Sequence, residues 1–290
     1  MEEKIIFDCD NTLGIPLKEV DDGLAILYLL GTPNVDLLGI TTTFGNGRIN
    51  QVFPQTQKMV DYLELSIPVL RGEGEESLGE PTLASRFLVE QVNRYPGEIT
   101  LLATGPLGNL SAAALEDADF FIKVKKIVFM GGYLRPVQLG YRDLKELNFS
   151  AHPEASWRVL SASCPLTVFP AQVCLEAPYR LRDICRADYW PGWMKRAMTQ
   201  WLITFGLYTG EMVFYLWDLL PAVFLVKPEL FEIQPFDFGS TLPQLQSGML
   251  IKAQGETASK IFLASRIKNH KAFYDELDRS WRTAANRYTL

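Results

Sequence analysis

KIIFDCDNTLG, residues 4–14, begins as a strand and ends in two acids one residue apart, Asp8 and Asp10. Its first five residues are mostly β-branched or aromatic, the composition of a strand buried on both faces. A few residues later EVDDGLAILYLL, 19–30, carries Asp21 and Asp22 into a helical apolar pattern. A strand, a turn rich in acids and a helix make the opening unit of an α/β fold.

The same alternation continues outward from that unit. Strands are expected at 4–8, 35–43, 67–72, 98–105, 126–132 and 165–170. Amphipathic helical patterns separate most of them, at 57–65, 84–95, 107–116 and 152–160. Apolar strands separated by helices predict an open, mostly parallel, doubly wound sheet covered on both faces. Right-handed crossovers then bring every strand's C-terminal end to one edge, where ligands bind. Beyond residue 178 the chain is expected to be mainly helical up to about Val226, as an insertion over that edge. Strand-like pieces follow at 230–238, 247–253 and 260–266, then a final helix at 270–282. No linker, repeat or low-complexity tract divides the 290 residues, so a single domain, 1–290, is expected.

Hydrophobic residues make up 48% of the chain and charged ones 21%, with a net charge of −6. No basic run is present, which argues against nucleic acid or an acidic membrane as partner. The stretch 212–226 is apolar but too short to span a bilayer, and it contains Asp218 and Pro221; a buried helical region is expected there. The four cysteines lack C-x-x-C spacing and are expected to be buried thiols in a reducing compartment. The chain opens in charge and then strand, without a signal-peptide pattern, so a cytoplasmic location is expected.

Chemistry-bearing residues gather at the strand ends. Asp8 and Asp10 follow the first strand, TTTFGNG with Asn46 the second, Thr104 the fourth, and Met130 with two glycines the fifth. Asp21 or Asp22 could simply cap a helix. Four carboxylates on one edge, however, repel one another unless a cation intervenes. Hard oxygens without Cys or His suit Ca²⁺ or Mg²⁺ rather than Zn²⁺.

Taken alone, D-x-D-x-T-L at 8–13 resembles the nucleophile motif of haloacid-dehalogenase-type phosphatases, with Asp8 as the attacking group. That resemblance ends at residue 13, because no later G-D-x-x-x-D follows. The ordered set D-x-D, DD-x-L-A-I, TT-x-x-GN, L-L-A-T-G-P-L-x-N, V-F-M-G-G, E-x-N-x-x-x-x-P-E-A and W-D resembles the nucleoside hydrolases of the inosine/uridine-preferring superfamily. It runs from residue 4 to about 225. The resemblance implies hydrolysis of the N-glycosidic bond of ribonucleosides with a bound Ca²⁺. It implies Asp10 as general base and ligand, with Asp22, Asp218 and the Thr104 carbonyl completing the metal set. Asp21, Asn46, Met130, Glu146 and Asn148 would line the ribose pocket. A small-molecule nucleoside as partner and a homodimer or homotetramer are implied as well. A nucleoside- or sugar-binding paralogue without turnover is the non-enzymatic alternative.

Three departures from the family pattern stand out. Ten residues, 11–20, separate Asp10 from the acid pair, a longer spacer than the pattern has. Gly140 falls where an Asn is common, so one ribose contact must come from elsewhere, with Arg142 a candidate. Trp217 stands where many members have the His that protonates the leaving base. The two histidines, His152 and His270, read as structural or exposed. Trp217 is similar to the purine-preferring branch, where an indole stacks on the base, so purine nucleosides are expected to be preferred. A second aromatic wall is not evident in 73–92.

Overall fold

The computed structural model describes residues 2–254 and 259–290. Eight strands form the main sheet: β1 (Glu3–Cys9), β2 (Val35–Thr42), β3 (Val69–Arg71), β4 (Ile99–Ala103), β5 (Lys126–Met130), β6 (Leu166–Phe169), β7 (Phe231–Phe238) and β8 (Ser259–Ile267). Their order is β7-β8-β6-β5-β4-β1-β2-β3. All neighbours run parallel except the β7–β8 pair. From β1 the chain winds one way through β2 and β3. It then returns to the other flank of β1 with β4 and winds the opposite way. The crevice beyond the ends of β1 and β4 is therefore the switch point at which open α/β sheets bind ligands.

The longer helices are α1 (Asp21–Leu30), α2 (Ile49–Tyr62), α3 (Leu83–Arg94), α4 (Gly108–Glu116), α5 (Pro153–Leu160), α6 (Gly192–Thr209), α7 (Leu219–Val226) and α8 (His270–Arg287). Alternation along β1 divides the core between the two faces of the sheet. Ile5 and Phe7 join α1, α7 and α8 on one face, and Ile6 joins α3 and α4 on the other. All three side chains are fully buried, which contributes about 1.5–3 kcal/mol each. Helix α8 begins at Asn269, whose side chain accepts from the Ala272 N–H at 3.0 Å. It closes the first face by donating from Trp281 Nε1 to the Leu24 carbonyl at 2.9 Å.

Several expectations need correction. Residues 247–253 form no main-sheet strand. A short helix, Leu242–Gln246, runs into Gly248 at φ +76°, and the rest makes only isolated bridges to Tyr133 and Phe238. The positive φ is available to glycine without steric cost. The 212–226 stretch is helical only from Leu219; Phe214–Tyr215 instead pairs with Pro178–Tyr179 in a two-stranded ribbon. Strand three is shorter than 67–72. Cys185 is exposed, whereas Cys9, Cys164 and Cys174 are buried. Among the described residues, no helix is long and apolar enough to cross a membrane.

Candidate active site

The end of β1 sets the floor of the crevice. Asp8 is buried, and its Oδ1 accepts from Thr41 Oγ1 at 2.5 Å and from Asn109 Nδ2 at 2.7 Å. Its Oδ2 has no partner, and burial pushes the carboxyl up to about 7. Asp8 thus ties β1 to β2 and to the start of α4. Clamped and enclosed, it is not presented for attack on a substrate.

Asp10, also buried, faces the loop after β2. Its Oδ2 accepts from the Asn46 backbone N–H at 2.5 Å and its Oδ1 from Asn46 Nδ2 at 3.3 Å. Gly45 makes this approach feasible, because a Cβ there would overlap the Asp10 carboxylate. Burial raises Asp10 to about 6, with the Asp22 and Asn46 hydrogen bonds opposing the rise.

Neither acid at the start of α1 caps that helix. Val20 occupies the cap position without a side-chain bond. Asp21 Oδ2 instead accepts the Asp218 backbone N–H at 3.2 Å, while Oδ1 is buried without a partner. Asp22 Oδ1 accepts from Thr104 Oγ1 at 2.5 Å, joining α1 to the end of β4. Burial, then the charge of Asp10, holds Asp22 well above the usual carboxylate range. Burial, then the charges of Asp21 and Asp22, does the same to Asp218. Burial takes Asp21 to about 6.

Among the described residues, no three acidic, Cys or His side chains already surround a single point. The donor set nevertheless fits a hard divalent ion. Asp10, Asp22 and Asp218 are buried, mutually repelling carboxylates beside the Thr104 carbonyl, and the neighbouring Asp21 keeps an unpartnered oxygen.

Above this floor opens a pocket of about 170 Å³, the scale of a small molecule. Asn46, Thr104, Met130, Glu146, Asn148, Trp217 and Asp218 are among the residues that line it. Asp21, expected to line the pocket, is not among its lining residues, and neither are Asp10 and Asp22. Asn148 Nδ2 donates to the carbonyls of Thr104, at 2.8 Å, and Met130, at 3.0 Å. The Glu146 carboxylate accepts from the backbone N–H groups of Gly132, Phe149 and Ser150, at 2.8–3.0 Å. Those bonds oppose the rise in its pKa that burial causes.

Seven lining residues escaped the sequence reading, Glu19, Lys145, Trp201 and Phe205 among them. Trp201 and Phe205 are one turn apart on α6 and supply the missing aromatic wall, with ring centroids 5.4 Å apart. Phe205 lies 6.3 Å from Tyr215, which lies 5.3 Å from Trp217. An i, i+4 aromatic pair was the available signal, but on a helix it reads equally as core. Glu19 comes from the long 11–20 loop. Thr12 Oγ1 donates to the Glu19 carbonyl at 2.7 Å and Lys18 Nζ to the Asn46 carbonyl at 2.7 Å, pinning the loop to the crevice. Burial, then the charges of Asp21 and Asp10, pushes the Glu19 carboxyl up.

Other candidates lie elsewhere. Arg142 sits on an exposed hairpin, its guanidinium 5.3 Å from the Tyr208 ring, and does not replace the ribose contact absent at Gly140. His152 Nδ1 is 3.1 Å from Glu73 Oε2, and His270 Nε2 is 3.5 Å from Glu176 Oε2. Neither histidine lines the pocket.

Comparison with known proteins gives the same assignment. Uridine nucleosidase 1 of Arabidopsis thaliana is 29% identical over 268 residues, 79% of this chain and 75% of that protein. The pyrimidine-specific ribonucleoside hydrolase RihA of Shewanella baltica is 27% identical, covering 91% of this chain and 92% of its own. Two solved structures share the fold. The plant nucleoside hydrolase PpNRh1 superposes with a TM-score of 0.83 at 22% identity, covering 97% of this chain and 99% of that one. The purine-preferring ribonucleoside hydrolase of Gardnerella vaginalis gives 0.82 at 21%, with the same coverage. Residues 5–279 match the family described as inosine-uridine preferring nucleoside hydrolase. The chain belongs to that family, whose members are glycosidases acting on N-glycosyl bonds.

Proposed function

We propose that this chain hydrolyses ribonucleosides to ribose and free base in a calcium-dependent reaction, with purine nucleosides preferred over uridine. The observation that carries the reading is the stacking of two layers at the switch point. Buried Asp10 and Asp22 belong to one, polar and aromatic side chains lining the pocket form the other, and buried Asp218 reaches that lining. Asp10, Asp22, Asp218 and the Thr104 carbonyl would hold the ion. Calcium bound there would lower the pKa of an attached water and orient it.

The chain's own groups do the remaining work. Asp10 is the carboxylate that accepts the water's proton, steered by its two bonds from Asn46. Asn46, Glu146 and Asn148 grip the sugar, and their contacts gain strength as the ring flattens towards an oxocarbenium ion. Met130 packs against the ribose. Trp217, Phe205 and Trp201 enclose the base, and their breadth favours a two-ring purine. The names of the curated relatives point to uridine and pyrimidine nucleosides, and that of the Gardnerella structure to purines. The aromatic residues of the lining support the purine reading. We assign the activity to a single domain acting in the cytoplasm as a homodimer or homotetramer.

The phosphatase reading is disfavoured by the clamp on Asp8. The test is release of reducing sugar from inosine, guanosine and uridine in calcium, and again after chelation. Turnover of inosine or guanosine above uridine, lost with EGTA, is expected. No sugar release from any of the three would leave a binding paralogue as the better account.

A further inference from the structure

A buried side-chain pair outside the pocket lining joins two of its walls. Glu73 follows β3 and His152 precedes α5, 79 residues apart in the chain. Both are buried, and His152 Nδ1 lies 3.1 Å from Glu73 Oε2. A carboxylate oxygen accepts, so the imidazole donates from Nδ1. The other oxygen, Oε1, accepts from the Gly79 backbone N–H at 2.7 Å, which leaves neither end of the carboxylate unpartnered. The first turn of α4 makes room for it, because a Cβ at Gly108 would overlap the Glu73 carboxylate.

Each partner is built into a segment that reaches the pocket. The Glu73 carbonyl accepts from the Phe44 N–H at 3.1 Å, two residues before Asn46, which holds Asp10 through two bonds. The Glu73 N–H donates to Asn109 Oδ1 at 2.8 Å, and Asn109 Nδ2 donates to Asp8 Oδ1 at 2.7 Å. On the other side, the His152 carbonyl accepts the Ser156 N–H at 3.0 Å, and Ser156 Oγ lies 3.0 Å from the Phe149 carbonyl. Phe149 follows Asn148 directly, and its N–H donates to the Glu146 carboxylate.

We propose that Glu73 and His152 are positioning residues for hydrolysis of the glycosidic bond. Their contact sets the distance between the wall that carries Asn46, and with it Asp10, and the wall that carries Glu146 and Asn148. This rests on the nucleoside-hydrolase reading above and adds to it two residues that lie outside the pocket lining. Without the imidazole, Glu73 Oε2 is a buried oxygen with no donor, and the side chain must turn to find one. Its backbone holds Phe44 and Asn109, so that turn moves the loop beside Asp10. An apolar contact of the same volume would fill the space, but a directed bond fixes the register of the two segments. The sugar is gripped from both walls, most tightly as it flattens. A change in their spacing therefore falls on kcat more than on KM.

The experiment measures kcat and KM in calcium, on the best of inosine, guanosine and uridine, for wild-type protein, His152→Ala and His152→Asn. An asparagine amide can donate to Glu73 from nearly the place of Nδ1. His152→Ala is expected to lose about tenfold or more in kcat with KM within about twofold, and His152→Asn to recover to within about threefold of wild type. Added to Glu73→Ala, His152→Ala should cost less than about twofold more, since each change breaks the same contact. An unchanged kcat in His152→Ala overturns the assignment. So does a joint fall in Tm and kcat that His152→Asn leaves uncorrected, or a full second loss in the double variant, because plain packing gives both. Should circular dichroism show His152→Ala unfolded, His152→Phe, which keeps a ring and lacks the donor, is read by the same criteria. Unfolding of that variant too makes the pair purely structural and refutes the idea. No sugar release by wild-type protein on any nucleoside refutes the parent reading and this one together; wild-type turnover with an indifferent His152→Ala refutes this one alone.

Discussion

One amide group of Asn148 joins two strand ends, with Nδ2 2.8 Å from the Thr104 carbonyl and 3.0 Å from the Met130 carbonyl. Both acceptors stand where β4 and β5 run out, so Asn148 fixes the spacing of these two parts of the pocket's lining.

Replacing Asn148 with Ala leaves those carbonyls without their donor, at a cost of about 1–3 kcal/mol. Thermal unfolding without substrate should fall by a few degrees. KM for inosine should rise along with it, because the sugar loses the same amide. Wild-type values for both would mean that Asn148 neither supports the floor nor meets the substrate.

The acid cluster makes stability depend on pH, and the direction follows from the shifts. In the folded chain Asp8 holds its proton to about 7, and Asp10 and Asp21 hold theirs to about 6. Unfolded aspartate titrates at about 3.9. Their stabilisation is therefore fully present below about pH 4 and is lost as the pH rises through about 6 to 7. Calcium bound there as proposed would supply the countercharge, so its addition should recover most stability at neutral and alkaline pH. Differential scanning calorimetry between about pH 5 and 8, in EGTA and in calcium, checks this. A calcium-induced rise in Tm that is equally large at both ends of that range would argue against the cluster as the ion's site.

The sheet was legible because β1, β2, β4, β5 and β6 are continuous apolar runs, a pattern that burial on both faces imposes. The acids at their ends were legible for the same reason, since a charge stands out beside such a run. Glu19 was not, because its place depends on how the 11–20 loop folds back through Thr12 and Lys18, which no periodicity encodes. Trp201 and Phe205 were hidden among other apolar residues of α6. Nothing local tells a helix face turned to a pocket from one turned to a core. The 247–253 segment misled because its apolar residues suit a strand, whereas the turn at Gly248 redirects the chain.

Asp10 can be disturbed in charge or in position, and the two should look alike in rate. With Asp10 as the base proposed above, Asp10→Asn should lower turnover by about 10²–10⁴-fold with the fold retained. Gly45→Ala keeps the carboxylate but puts a methyl group against its Oδ2, so Asp10 must shift. Loss of kcat by at least about 10²-fold is expected there as well, since small misplacements of reacting groups are costly. Circular dichroism and single-turnover assays on both variants decide it. Near-normal turnover in Asp10→Asn would remove Asp10 from the role of base.

Trp217 is buried next to Asp218 in the chain, with its ring 5.3 Å from Tyr215, and both Trp217 and Asp218 line the pocket. Positive charge grows on a purine as its glycosidic bond weakens and solvent protonates the ring. An indole face over that ring attracts the charge by about 1–2 kcal/mol, and more in the transition state than in the ground state. Trp217→Ala should therefore lower kcat on inosine about tenfold, with a smaller change in KM. Uridine should lose less, because a single ring covers less of the indole and has no imidazole nitrogen to protonate. Steady-state kinetics on the two nucleosides separate the alternatives. Equal losses on inosine and uridine, or an unchanged kcat on inosine, would falsify a role for the indole in base departure and leave it as packing for Tyr215.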